Sequence, residues 1–158
     1  MNGIESVDDT IERMHDAFQA LDHTMAAVWA SDCAERVIIL FEGERPGDER
    51  PREAIEAAYA WVQGAIGVQE ARRAAFEAHA AAREALTPRA KAAARAAGHA
   101  AATAHVPTHA MHAATYARKA ARGPEVEWQS RRIREIIRAM NAPDPIEEHP
   151  PLEPTTTR

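Results

Sequence analysis

His105 and His109 stand four residues apart, a spacing that on a helix turns two imidazoles toward one point. His112 and Tyr116 extend the series to i, i+4, i+7, i+11. On one continuous helix, Arg95, His99, Ala102, Val106 and His109 share a face, and upstream Phe76, His79, Arg83 and Leu86 follow core-like spacing. Imidazoles move protons near neutral pH, and guanidiniums hold anions through paired N–H donors. These residue types suggest a pocket for acid/base chemistry on an anionic small molecule. His99 or His105 would be its general acid/base, and Asp32 would orient an imidazole or act as the base. His79, Arg83, Arg95 and His109 would hold the substrate. The plainer alternative is that these histidines hydrogen-bond backbone or carboxylate groups and do no chemistry.

No cofactor is expected. A divalent metal at His105, His109 and a carboxylate is a weaker candidate, because helical zinc motifs place a Glu among their histidines and this stretch has none. Cys33, next to Asp32, would be a nucleophile only if His79 or His99 lay against it; mid-helix on an apolar face it reads as a buried, inert thiol. Asp32, Glu35 and Asp48 read as partners of Arg36, Arg50 or Arg52 rather than as an acid/base pair. Arg131, Arg132, Arg134 and Arg138 form the most basic patch, but no aromatic residues interleave with them, so no nucleic-acid partner is expected. Gly43, Gly47, Gly64 and Gly67 do not have the spacing of a phosphate-binding loop.

Pro and Gly divide the chain into the segments that must position these groups. The first runs from about Ser6 to Leu21, with Ser6 as N-cap and Val7, Ile11, Met14, Phe18 and Leu21 as its apolar stripe. A second spans about Thr24 to Phe41, followed by a loop over 42–50. A third starts at Pro51, suited to the first helical turn, and stops near Gly64. The fourth covers about Val68 to Leu86. A fifth, Pro88 to Arg122, is interrupted by Pro107, which predicts a kink or two helices over about 88–105 and 107–122. The last covers about Glu125 to Asn141, with Val126, Ile133, Ile136, Ile137 and Met140 along one side. The predicted fold is all-α, a compact bundle of about six or seven antiparallel helices around a Pro-kinked, Ala-rich central helix. Residues 1–141 read as a single helical domain, and 142–158 as a Pro-rich flexible tail.

Composition agrees. Of 158 residues roughly a quarter are Ala and only 5% are aromatic, which favours helix and excludes a β-sandwich or barrel. A single Cys excludes a disulfide framework and a multi-thiolate zinc site. No apolar run is long enough to span a membrane, and the acidic start of the chain does not resemble a secretory signal, so a cytoplasmic location is expected. Ala92, Ala96, Ala100 and Ala104 form a small-residue ridge that lets helices approach closely, which marks this stretch as buried. Gly98 within it implies a close backbone crossing. No acidic residue lies between Glu84 and Glu125, so the cations here are expected to draw on Asp32, Glu35, Glu42 or Asp48.

Asp32-Cys33-Ala34-Glu35-Arg36, Pro46-Gly47-Asp48-Glu49-Arg50-Pro51, Ala78-His79, Gly98-His99, Ala104-His105-Val106 and His109-Ala110 together resemble a family of small bacterial immunity proteins of toxin–immunity systems. The resemblance covers roughly residues 29–122. It implies an all-helical domain that binds and neutralises a partner toxin, without chemistry of its own. The net charge of -5 suits an acidic masking surface. The alternative is the small enzyme or ligand-binding bundle described above. The partner is thus a toxin or a small molecule, neither nucleic acid nor membrane, and a homodimer stays open.

Overall fold

The computed structural model describes residues 5–143, and these form eight α-helices without a strand among them. They are α1 (Val7–Phe18), α2 (His23–Glu35), α3 (Ile39–Glu44), α4 (Arg50–Val62), α5 (Val68–Glu84), α6 (Pro88–Ala102), α7 (His109–Ala120) and α8 (Glu125–Met140). Most of the expected tail, residues 144–158, lies outside the described residues.

Local chemistry sets several boundaries. Ser6 and Asp9 form a reciprocal capping box at the start of α1. Asp22 accepts from the Met25 amide and caps α2, which starts at His23, one residue ahead of the Thr24 start expected from the sequence. Thr87 accepts from the Ala90 amide, with Pro88 in the first turn of α6. Beyond the end of α4, Gly64 takes φ of +73°, a conformation that costs glycine least.

α6 is the axis of the bundle. It packs against α2, α3, α4, α5 and α7, and its buried residues, Ala90 through Ala101, are interrupted only along one stripe, Lys91, Arg95 and His99. Alanine and Gly98 around the rest of the helix permit five neighbours at short range. α1 packs on α8, which closes the bundle against α2 and α7. Trp29, Phe41, Met14, Ile38, Ile55 and Ile133 are the large, fully buried side chains. The wholly buried Gln129 ties three helices together. Its carbonyl accepts from Trp29 Nε1 (3.1 Å), its Nε2 donates to the Ala114 carbonyl (2.9 Å), and its Oε1 accepts from Arg118 (2.8 Å).

Three expectations are corrected. The Thr24–Phe41 segment is two helices: Val37 and Ile38 both return their amides to the Ala34 carbonyl, and this turn separates α2 from α3. Of the two readings at Pro107 the kinked central helix gives way to two helices, with α6 ending at Ala102 and α7 beginning at His109, each shorter than expected. Val7, Phe76 and Leu86, counted on apolar or core-like stripes, are exposed.

Candidate functional site

The break at Pro107 builds the site. On one continuous helix His99 and His109 would be separated by about 15 Å along the axis. Instead, α7 returns antiparallel to α6, pinned at its far end by Arg89 Nε donating to the Ala120 carbonyl (2.7 Å). His109 Nδ1 then comes within 3.0 Å of His99 Nδ1. When both rings are neutral, one donates and the other accepts, so they carry their protons on different nitrogens. Successive turns of α7 stack on the same imidazole: the rings of His112 and Tyr116 each lie 5.2 Å from that of His99. From α5, the His79 ring meets His99 edge-on at 4.9 Å.

His79 lies over Gly98. A β-carbon at position 98 would stand 2.7 Å from His79 Cε1 and 2.8 Å from Nε2. The expected close approach at Gly98 therefore exists, but a side chain makes it, not a neighbouring backbone. His79 Nδ1 is buried and has no hydrogen-bond partner.

The electrostatics are one-sided. Burial, then the neighbouring His79, His109, His112 and Arg95, pull His99 from 6.5 down to about 3. Burial, then Arg95, Arg83 and His109, lower His79. Burial, then His112 and His105, lower His109. Among the described residues, no carboxylate acts on any of the three. At neutral pH the rings are uncharged donors and acceptors.

A pocket of about 310 Å³ opens beside them, between α5, the end of α6 and the start of α7. Arg72, Ala75, Phe76, His79, Ala102, His105 and His109 line it. Of the residues expected at a site, His79, His105 and His109 share this wall; His99 lies directly behind it against His79 and His109. Arg95 is half-buried on α6, and Arg83 is exposed on α5. Both act on His79 through charge without lining the cavity.

Asp32 belongs elsewhere. Its Oδ1 accepts from Tyr59 (2.5 Å) and its Oδ2 from Arg132 (2.7 Å), which links α2 to α4 and α8. Burial, and then Asp32, raise the Tyr59 hydroxyl well above its ordinary value. The other carboxylates expected to serve α6 are likewise committed: Glu35 and Glu42 to Arg52, and Asp48 to Arg50. Residue spacing could not tell which guanidinium each would meet. Cys33 is wholly buried, and burial followed by Asp32 pushes its thiol upward, away from the nucleophilic thiolate. Among the described residues, no three His, Cys, Asp or Glu side chains are grouped so as to hold a metal ion.

Sequence reasoning missed Arg72 as a wall of the pocket, although Phe76, four residues on, marks the same face. It also missed His23, whose Nε2 lies 2.6 Å from the Thr103 carbonyl and whose ring packs on Trp61. That pairing joins residues 80 apart, and no local pattern announces it.

A second concave surface lies between α4 and α5. Its volume is about 430 Å³, and Glu53, Glu56, Glu70, Glu77, Arg50, Arg73 and Ile66 are among its lining residues. All four glutamates are exposed, and Arg50 is already paired with Asp48 and Glu84.

The described residues thus form an all-helical bundle with an imidazole pocket whose described wall carries no carboxylate and with an acidic groove. The family model for the Imm-5 like putative immunity protein matches residues 16–142, and the chain belongs to that family. No curated protein and no solved structure matches it. Among the described residues, no helix is long and apolar enough to cross a membrane.

Proposed function

We propose that this protein binds a partner toxin and neutralises it by occlusion, with the acidic α4–α5 groove as the contact surface. Family membership supplies the class of function. The groove supplies the observation that carries the surface: four exposed carboxylates in one concavity, with one of its two arginines held by carboxylates outside the set. Such a surface suits a basic partner, and its charge speeds encounter as well as fixing orientation. The dispersal of Asp32 from the histidines argues against the acid/base enzyme, because no carboxylate remains to orient the imidazoles.

The test is co-expression with the products of the genes that flank its own, screened for toxicity. Wild type is expected to restore growth and to bind the purified toxin at 1:1, more weakly as salt rises. The double reversal Glu56→Lys/Glu77→Lys is expected to weaken binding at least tenfold while leaving the melting temperature in place. Absence of binding, or full protection by the reversed protein, would overturn the proposal.

A further inference from the structure

The α5–α7 pocket has features that toxin masking by the opposite groove does not use. Among the described residues, its polar wall consists of the Arg72 guanidinium and the imidazoles of His79, His105 and His109, with no carboxylate. Arg83 and Arg95 add positive potential from behind His79. Its apolar wall is Ala75, Ala102 and Phe76. Phe76 is a large aromatic residue left 64% exposed at the rim, outside the bundle core. The volume lies at the lower end of the range for small-molecule sites, and the mixture of apolar surface with a few convergent polar groups is characteristic of them.

The sign of the ligand follows from these charges. A metal or organic cation would face the Arg72 guanidinium, with Arg95 and Arg83 behind His79 and, among the described residues, no carboxylate on the wall. An anion meets a fork-shaped donor at Arg72 and N–H donors from the imidazoles. With only one guanidinium on the wall itself, a singly charged, planar group fits better than a phosphate dianion. The small aliphatic floor and the Phe76 ring provide for an apolar body attached to that group.

We propose that this pocket binds a small organic carboxylate, its carboxylate held by Arg72 with His105 and His109, its apolar part lying between Phe76, Ala75 and Ala102.

The test is an NMR titration of the full chain with benzoate, in parallel with benzylamine and inorganic phosphate at the same ionic strength. Benzoate is expected to shift the ring signals of His105 and His109 saturably at 1:1, with Kd of about 1 mM or tighter for so small a probe. Arg72→Gln, which keeps a good helix former at that position, is expected to weaken binding at least tenfold. Ala102→Leu, which fills the cavity without altering charge, is expected to abolish it. Thermal melting checks that both variants stay folded. No saturation by about 20 mM benzoate would overturn the proposal. So would equal binding of benzylamine or phosphate, or unchanged affinity in folded Arg72→Gln.

Discussion

The imidazole of His79 occupies the space that a β-carbon at residue 98 would need, with the nearest ring atom 2.7 Å from that position. Gly98 is therefore a packing requirement imposed by a side chain 19 residues away, on the preceding helix α5. In an exposed helix, Gly→Ala gains about 1 kcal/mol. Here the added methyl must push a half-buried ring away from His99. Gly98→Ala is expected to destabilise the protein by about 1–3 kcal/mol, the usual range for overpacking. In a His79→Ala background the same change is expected to become neutral or stabilising. A double-mutant cycle by urea denaturation measures the coupling; additive effects would show that the ring does not constrain position 98.

The same cluster sets an acid limit. His99 is held down to about 3, and His79 and His109 also lie below the ordinary 6.5, in each case first through burial. The unfolded chain takes up protons near 6.5 that the folded cluster refuses. Below 6.5 the unfolded state therefore binds more protons, and stability falls as pH falls toward 3. A fully protected imidazole contributes at most about 1.4 kcal/mol per pH unit. These rings are partly exposed and screened, so the three together are expected to account for about 1–2 kcal/mol between pH 6.5 and 5.5. The carboxylates of Asp22, Glu44 and Asp48, lowered chiefly by hydrogen bonds, lose their contribution only at lower pH, within and below the carboxylate range. Melting temperatures at pH 7.5 and 5.5 are expected to differ by several degrees, and by less in His99→Gln. A melting temperature flat across that interval would refute the burial of the cluster.

What could be read in the chain was local. The Ser6 cap, the apolar spacing of α1 and α8 and the buried alanines of α6 depend on neighbours three or four residues apart. The histidines could be singled out for the same reason. Their convergence could be read only in part, because Pro107 allowed either a kink or a reversal, and only reversal brings His99 against His109. The partner of Asp32 was beyond reach. Arg132 is 100 residues away, and every helix in the molecule carries or borders an arginine of comparable reach. Ion-pair choice depends on helix order around α6, which neither capping nor periodicity encodes.

Asp32 allows its structural and catalytic readings to be separated. It accepts from Tyr59 and Arg132 and holds α4 and α8 to α2, and its side chain is 17% exposed. Asp32→Ala leaves the half-buried Tyr59 hydroxyl without its acceptor and the Arg132 guanidinium with Glu135 alone, and is expected to cost about 1–3 kcal/mol. Tyr59→Phe removes one donor and leaves the ion pair, and is expected to cost less, about 0.5–1.5 kcal/mol. If Asp32 served the imidazoles, its loss would lower their basicity further. Its actual partners predict that the NMR titration curves of His79 and His109 in Asp32→Ala overlay those of wild type while the urea midpoint drops. A displaced imidazole titration in Asp32→Ala, with a near-normal urea midpoint, would return this carboxylate to the histidine site.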